Sequence, residues 1–486
     1  MGALDLAVIA AYLLLTLGVG FALAQRARTA EDYFLGARQL PAWAVMLSVV
    51  ATETSALTVI SVPGIAARGD FGFLQLAFGY LLGRIAVAAW LLPGYFSGTQ
   101  QTAYERLQQR FGVGTRRALS VVFLITRLLA DGVRLFAGAI PLALVTGWDV
   151  GWAIAALGAL TLLYTAFGGL RAVVWTDVLQ MAVFVAGGVA VLVVALPLAG
   201  GATEAFARAA EAGKLQLIHL ELSASYSLLA GLAGGALLSA ASHGTDHLIV
   251  QRLLATRSLA QARWALVGSG VLVIAQFALF LAVGTALWAA GHAPEGLRGD
   301  ELLPRFVLEQ LPAGLAGLVI AGVLAAAMST ISSSISALAS SMTHDLYATW
   351  RPQADGAALL RAGRVFTGLW GVLLTATALG FMVLAGGRDT PVVVLALSVA
   401  SATYGALLGA VLLAGPAGRM GAHAVAGRDV IVAAAVSVLT MLMLVATTRL
   451  SFLWAVPAGT LLCMGVAWGL ARWGPSRAAS GSDQRV

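Results

Sequence analysis

Long apolar runs follow one another from the start of the chain to near its end. Each run has roughly 20 residues with few charges, the length that an α-helix needs to cross a bilayer. The pattern predicts an all-α polytopic membrane protein with about thirteen transmembrane helices. The first run, Leu4 to Ala24, has no basic segment before it and no small-residue cleavage site, so we interpret it as a retained helix rather than a signal peptide.

One apolar run differs from the others in its hydroxyl content. It extends from Ala325 to Tyr347, AAAMSTISSSISALASSMTHDLY. On a helix, i, i+3 and i+4 spacing places on one face Ser329, Ser332, Ser333, Ser336 and Ser340. Because a hard cation such as Na⁺ prefers oxygen ligands, this stripe indicates an ion path at membrane depth. The alternative is structural, since membrane serines also bond to their own helix carbonyls or allow close helix packing.

Two other spans are interrupted by polar residues. The second span, AWAVMLSVVATETSALTVISVPG, contains a Thr-Glu-Thr-Ser cluster at 52–55. The seventh span has three glycines followed by SHGTDH at 242–247. Two interrupted spans five apart indicate an inverted-repeat transporter with a binding site near the bilayer midplane. Unwound backbone is tolerated at that depth where it lines a cavity.

Ionisable residues at membrane depth are costly and usually face a cavity or a partner. Those inside the predicted spans are Glu53, Arg84, Arg127, Asp131, Arg134, Asp177 and Asp246. Arg127, Asp131 and Arg134 lie at i, i+4 and i+7 on one helix. We interpret them as a structural ion pair, with one arginine left over that could receive a ligand carboxylate. Asp177 has no Lys or Arg within four residues on its own helix, so a bound cation is its expected partner.

Composition places the whole chain in the membrane. Of its 486 residues, 60% are hydrophobic and only 10% are charged, and the mean hydropathy is +0.90. Soluble domains of this size do not have that composition. Most Lys and Arg fall in alternate segments between the spans, so the residues behind the net charge of +7 are distributed as expected for a membrane protein. The positive-inside rule then puts the N-terminus outside and the C-terminus in the cytoplasm.

Several classes of protein are not expected from this sequence. The single cysteine, Cys463, lies in an apolar run and excludes a disulfide within the chain and a thiolate metal cluster. The sequence has no nucleophile elbow, phosphate loop or HExxH motif, so we do not expect an enzyme. The charge pattern does not indicate nucleic-acid binding. The lipid bilayer is the expected partner, and no obligate protein partner is evident.

Four stretches spread over most of the chain resemble the sodium:solute symporter family, whose members share the LeuT-type fold of two inverted five-helix repeats. They are YFLGARQLPAWAVMLSVVATETSALT, GGLRAVVWTDVLQ, TDHLIVQR and AAAMSTISSS. The resemblance implies one transporter domain over 1–486, with core repeats at about 40–200 and 225–415 and discontinuous first and sixth core helices. It also implies additional helices at about 4–24, 428–446 and 450–473.

The resemblance further implies where sodium binds. The family's usual site joins the break in the first core helix to the eighth core helix. The positions it implies here are the carbonyls of Ala51, Thr54 and Ala326 and the hydroxyls of Ser329 and Thr330. Some members have a second sodium site at the Asp of a WTD motif, and the matching residues are Asp177, Ser332 and Ser333. Na⁺ is the implied coupling ion, and no organic cofactor is implied.

The family's solute site lies between core helices one, two, three, six and ten. The positions it implies here are Glu53, Ser55, Thr58, Gln75, Phe78, Arg134, Asp246 and His247. Sugar carriers of the family tend to have Asn or Gln where Asp246 and His247 stand, and proline carriers have Asp where Glu53 stands. The resemblance therefore leaves the solute open among sugars, organic acids, amino acids and vitamin-like compounds.

The sequence predicts a Na⁺-coupled secondary symporter of the plasma (inner) membrane that imports a small polar solute by alternating access. Two alternatives stay open. One is a proton-coupled symporter of the same fold, in which Asp177 or Glu53 carries the proton. The other is a transporter-like membrane sensor, which is less favoured because no soluble output domain follows Trp473.

Overall fold

Helices form most of the described chain in the computed structural model, which describes residues 2–23, 27–98, 100–221, 227–294, 296–385, 392–415, 425–448 and 452–473. The helices of the first half are α1 (Ala3–Ala22), α2 (Ala30–Leu35), α3 (Ala42–Glu53), α4 (Ala56–Arg68), α5 (Leu74–Ala86), α6 (Leu92–Tyr95), α7 (Glu105–Phe111), α8 (Val113–Thr146), α9 (Val150–Leu198) and α10 (Ala202–Glu211). Those of the second half are α11 (Gly235–Gly244), α12 (His247–Leu254), α13 (Leu259–Ala289), α14 (Gly299–Gln310), α15 (Leu315–Ser341), α16 (Ala348–Trp350), α17 (Gly356–Ala385), α18 (Val392–Ala414), α19 (Gly427–Thr447) and α20 (Phe452–Trp473). Shorter helical turns lie at Gly36–Arg38, Val87–Leu91, Ala230–Gly234 and Met342–Tyr347.

Many of these helices are long enough to cross a membrane. Within the described residues, nine are sufficiently long and apolar, and the bent pair α3–α4 adds a tenth. The all-α polytopic class is therefore confirmed. The 49-residue α9 covers two predicted spans, because Gly169 (φ 56°, ψ −159°) interrupts its helical backbone. A Cβ atom at Gly169 would lie 2.4 Å from the Tyr33 carbonyl oxygen, so only glycine fits. The count of thirteen spans stays a prediction.

The core helices pack as two groups. The first group, which we call the bundle, comprises α3, α4, α5, α11, α12 and α13, and the second, the scaffold, comprises α8, α9, α15 and α17. α15 lies along α9 and α8, and nearly every one of its residues is buried. The predicted discontinuities are present: α3 and α4 meet at 70°, and α11 and α12 are separated by Thr245 and Asp246. α1, α19 and α20 correspond to the three predicted additional helices, whereas the division into two repeats stays a prediction.

Buried polar side chains join the elements at the predicted cytoplasmic end. Asp345, in the turn after α15, accepts from Arg116 Nε at 2.7 Å, from Thr102 Oγ1 at 2.5 Å and from Ser341 Oγ at 2.8 Å. Arg116 lies in the first turn of α8 and Thr102 precedes α7, so one carboxylate joins three elements. Burial raises the pKa of Tyr104, beside α7, well above its usual range, so this phenol is neutral.

The first helix caps α15 from outside the core. The buried Asp5 accepts from the Gly314 N–H at 2.7 Å and from the Gly317 N–H at 2.9 Å, where α15 begins. A carboxylate at a helix N-terminus satisfies free N–H groups and complements the helix dipole. The packing is close, since a Cβ at Gly317 would lie 2.6 Å from the Asp5 carbonyl oxygen. α1 therefore fixes the outer end of the serine-rich helix.

We expect Asp5→Ala to lower the apparent melting temperature of the detergent-solubilised protein. Loss of such a cap costs about 1–2 kcal/mol. Asp5→Asn, which keeps an acceptor oxygen, should lose less. Scanning fluorimetry of the three proteins checks this order, and an Asp5→Ala protein that melts like the wild type would show that the cap does not stabilise α15.

Candidate functional site

The break in the first core helix frees backbone carbonyls at mid-depth. α3 ends at Glu53, and both Thr54 and Ser55 have extended backbone before α4 begins. Thr54 Oγ1 donates to the Val50 carbonyl at 2.8 Å, so the side chain competes with the helical pattern where the break occurs. Carbonyls in the last turn of α3 are left without their i+4 N–H partners.

Two hydroxyls of α15 face these free carbonyls. Ser329 Oγ donates to the Ala51 carbonyl at 2.9 Å, and Thr330 Oγ1 lies 3.4 Å from the Thr52 carbonyl. Both hydroxyls lie 3.1 Å from the carbonyl of Ala326. Three carbonyl and two hydroxyl oxygens thus meet in one buried place between bundle and scaffold. A set of neutral oxygens suits Na⁺, which is a hard cation.

This arrangement joins most of the residues implied for the first sodium site. Ala51, Ala326, Ser329 and Thr330 meet here as expected, and the structure adds the Thr52 carbonyl, which the sequence analysis missed. The carbonyl of Thr54, which was also implied as a ligand, is not among the hydrogen-bonded oxygens described above, and the Thr54 hydroxyl accepts from Gln276 Nε2 of α13 at 2.8 Å. The role of these clustered carbonyl and hydroxyl groups as sodium ligands stays a prediction.

The buried Asp177 of α9 is paired with an arginine from another helix. Arg252 Nη2 donates to Asp177 Oδ2 at 3.1 Å, and Ser48 Oγ donates to the same oxygen at 2.5 Å. Arg252 Nη2 also donates to Ser333 Oγ, which lies 3.0 Å from Thr52 Oγ1. The guanidinium group therefore contacts two of the residues implied for a second sodium ion.

The premise that Asp177 lacks a protein cation is wrong. The positive-inside pattern places Arg252 in a cytoplasmic segment, but α12 restarts at His247, and Arg252 lies only about 8 Å further along it. Ser332 donates to the Ser329 carbonyl at 3.1 Å. Asp177 Oδ1 has no hydrogen-bond partner within the described part of the chain. A second sodium ion at Asp177 stays a prediction, and such an ion would compete with Arg252.

The ion pair predicted on α8 is present. Arg134 Nη1 donates to Asp131 Oδ1 at 3.0 Å, and Arg127 Nη1 lies 3.5 Å from Asp131 Oδ2. Arg127 Nη2 also donates to Asp246, which caps α12 by accepting from the Leu248 N–H at 2.9 Å. Asp246, implied as a solute ligand, is thus already bonded to protein donors.

A further buried ion pair lies at the break in the first core helix. Arg84 Nη2 of α5 donates to Glu53 Oε2, and Arg84 Nη1 donates to Ser269 Oγ of α13 at 2.7 Å. His243 Nε2, in the last turn of α11, lies 3.6 Å from Glu53 Oε2. The Glu53 side chain is 19% exposed, so this carboxylate joins three bundle helices and still faces accessible space.

The other implied solute residues are dispersed. Ser55 Oγ lies 3.4 Å from Thr58 Oγ1 beside the break. Gln75 lies nearer the predicted outer end, where its Oε1 accepts from the His219 N–H at 3.2 Å, and Phe78 is exposed. His247 is buried towards the predicted cytoplasmic end, with Nε2 3.0 Å from Ser340 Oγ. The contacts of His247 are structural, and the solute roles of all these residues stay predictions.

Two of the three residues that sequence reasoning missed could have been found from the sequence. Arg252 comes six positions after Asp246, which is too few residues to leave the membrane. A break that frees the Ala51 carbonyl also frees that of Thr52, the next residue. Tyr404, whose hydroxyl donates to Asp246 at 3.0 Å, had no such signal, because α18 lies far away in sequence.

The fold and the oxygen cluster define a class of protein. Broken helices whose free carbonyls face a hydroxyl-bearing helix across the bundle–scaffold interface are the architecture of an ion-coupled secondary transporter. The family model described as "Sodium:solute symporter family" matches residues 33–415. The chain belongs to the sodium:solute symporter family, and it is a Na⁺-coupled symporter of small solutes.

Individual relatives agree with this assignment. The chain is 30% identical over 383 residues to the sodium/sialic acid symporter NanT of Aliivibrio fischeri, covering 76% of this chain and 75% of that one. It is 30% identical over 413 residues to sodium-coupled monocarboxylate transporter 2 of Danio rerio, covering 81% of this chain but only 64% of the fish protein. A substrate-bound, outward-open Na⁺-coupled sialic acid symporter superposes with a TM-score of 0.86 at 25% identity, over 97% of this chain and 98% of that chain. These likenesses confirm the LeuT-type fold and sodium as the coupling ion.

Proposed function

We propose that this symporter imports a small organic acid, whose carboxylate is received by Arg134. The supporting observation is the arginine itself. It lies in α8 among the core helices, its side chain is 20% exposed, and one of its nitrogens bonds to Asp131. A guanidinium group has five N–H donors in a planar fork that fits a carboxylate. The other donors of Arg134 are thus available on the accessible side.

The named relatives support an acidic solute. The fish protein is named for monocarboxylates and the bacterial one for sialic acid, and both of these solutes carry a carboxylate. The other deep arginines of the described chain have almost fully buried side chains and are paired with carboxylates: Arg84 with Glu53, Arg127 with Asp246 and Arg252 with Asp177. Arg134 is therefore the deep arginine best placed to meet a solute anion.

We propose that the coupling Na⁺ binds at the first site. Its ligands there would be the carbonyls of Ala51, Thr52 and Ala326 and the hydroxyls of Ser329 and Thr330. The ion pairs agree with sodium rather than proton coupling, because Glu53 and Asp177 each pair with an arginine and neither stands free to carry a proton. We also propose a plasma (inner) membrane location, and the distribution of Arg along the chain supports an orientation with the N-terminus outside and the C-terminus in the cytoplasm.

Uptake into proteoliposomes tests the solute class. The panel should contain sialic acid, short monocarboxylates, neutral sugars and amino acids, each with and without an inward Na⁺ gradient. We expect Na⁺-dependent uptake of an acid. Arg134→Lys should raise the acid concentration that gives half-maximal uptake by roughly tenfold or more, because lysine cannot form the bidentate contact.

Arg305→Lys is the matched control, since Arg305 pairs with Glu309 on the surface of α14. It should behave like the wild type. Na⁺-dependent uptake of a neutral sugar, unaffected by Arg134→Lys, would contradict the carboxylate role and leave Arg134 as a structural partner of Asp131.

A further inference from the structure

Four charged side chains form an alternating line from the accessible space to the break in the sixth core helix. Arg134 contacts Asp131 at 3.0 Å, Asp131 lies 3.5 Å from Arg127, and Arg127 contacts Asp246. The first three side chains are on the scaffold helix α8, whereas Asp246 belongs to the bundle. The line therefore crosses the interface between the two groups of helices.

The two ends of this line differ in exposure. Arg134 is 20% exposed, whereas Asp131 and Asp246 are almost fully buried. Two arginines and two carboxylates balance one another while no solute is bound. Asp131 is shared, because each of its oxygens faces a different arginine, and Ser334 Oγ of α15 donates to Oδ2.

A solute carboxylate on Arg134 would change this balance. Three carboxylates would then compete for two guanidinium groups, and Arg134 would have fewer donors left for Asp131. Asp131 already lies 3.5 Å from Arg127 on the next turn of the same helix, so a small side-chain movement brings them into full contact. Each N–H group that Arg127 donates to Asp131 is no longer available to Asp246, so the contact between Arg127 and Asp246 becomes weaker.

The bond that is weakened joins bundle to scaffold on the cytoplasmic side of Arg134. Asp246 can release Arg127 at low cost, because its Oδ1 still accepts from the Leu248 N–H and its Oδ2 still accepts from the Tyr404 hydroxyl at 3.0 Å. A carboxylate that keeps two donors is not left unsatisfied. The inner half of the sixth core helix, α12, would then be free to move away from α8.

We infer that Asp131 is a positioning residue that couples occupation of the solute site to opening of the cytoplasmic path. Solute bound at Arg134 transfers Asp131 to Arg127, and Arg127 then releases Asp246 and α12. This inference rests on the proposed carboxylate role of Arg134. It assigns a function to the Arg127–Asp131 contact, which is otherwise only a structural pair.

Labelling of a thiol on the cytoplasmic path measures this coupling. Ser340 of α15 is buried against His247 of α12, and it becomes accessible when α12 moves. The reporter is Ser340→Cys in a Cys463→Ala background, labelled with a membrane-permeant maleimide in Na⁺ alone and in Na⁺ with saturating sialic acid or lactate. We expect solute to raise the labelling rate by roughly tenfold, within the usual range of coupling between sites.

Asp131→Asn in this reporter should abolish the effect of solute on labelling, to less than about twofold, while solute binding measured by scintillation proximity stays at the wild-type level or becomes tighter. Ser334→Ala is the matched control: it removes the other contact of Asp131 but no charge, and should keep the solute effect. Asp131→Asn protein that binds solute and still shows the full labelling response would overturn the inference.

A second variant keeps the test decisive if Asp131→Asn fails to fold or to bind solute. Asp246→Asn weakens the contact that solute is inferred to weaken, so it should raise labelling in Na⁺ alone to near the solute-bound wild-type rate. Labelling that stays at the basal wild-type rate would overturn the inference. Failure of the carboxylate role gives a different result, since Arg134→Lys would then bind solute normally.

Discussion

Replacing Ser329 and Thr330 together by alanine should abolish Na⁺-dependent uptake at ordinary sodium concentrations. The two hydroxyls supply two of the five oxygens at the helix break, and both are fully buried or nearly so. Removing a polar group that contacts a charged partner costs about 1.5–3 kcal/mol of interaction free energy. The double variant should therefore bind Na⁺ at least about 100-fold more weakly. Sodium titration of uptake, and of solute binding in detergent, measures this shift.

The control for this double variant lies on the same hydroxyl face. Ser336 Oγ accepts from Gln251 Nε2 at 3.2 Å, two turns away from the break. Ser336→Ala should keep the sodium dependence of the wild type. Uptake by the Ser329→Ala/Thr330→Ala protein at the wild-type rate and sodium dependence would rule out the assignment of the first sodium site.

The second large effect is expected at the buried pair of Asp177 and Arg252. Removing one partner of a buried ion pair costs about 3–5 kcal/mol, because the other charge is left uncompensated. Asp177→Asn should therefore lower the melting temperature, and adding Arg252→Gln should restore much of it. Thermal scans of both variants and the wild type measure this recovery.

The same variants test for a second sodium ion. If two Na⁺ ions are coupled to each solute and one uses Asp177, the wild type has a Hill coefficient above one for sodium, and Asp177→Asn lowers it toward about one. The Asp177→Asn/Arg252→Gln protein should keep the lowered value even though its stability recovers. A double variant with the wild-type Hill coefficient, or a wild type with a one-to-one ratio by reversal-potential measurement, would make the pair purely structural.

Sequence reasoning found the sodium region because its signals are local. A polar cluster at 52–55 within an apolar run breaks a helix wherever the rest of the chain lies, since its side chains compete with the backbone. The hydroxyl face of α15 follows from helical spacing alone. The pairing of Ser329 with the Ala51 carbonyl could then be expected from family position, and the structure brings the two together at 2.9 Å.

Sequence reasoning failed where a side chain's partner comes from a distant segment. Asp177 has no cation on its own helix, yet Arg252 reaches it from 75 residues away. The partners of Asp246, which are Arg127 of α8 and Tyr404 of α18, were not anticipated either, while its implied role as a solute ligand stays a prediction. Spacing along one helix gives only the neighbours on that helix, whereas these contacts depend on how α9, α12 and α18 pack.

The sequence by itself determined the membrane class, the broken first and sixth core helices, the oxygen-rich face of α15 and the family. Those features depend on hydropathy, on helical periodicity and on motifs that are continuous in the chain. Only the tertiary structure decided which buried charges are paired across the bundle–scaffold interface and that the side chain of Arg134 stays 20% exposed. The physical reason is that a buried charge is stabilised by whichever opposite charge packing brings within contact, and packing is a property of the whole fold.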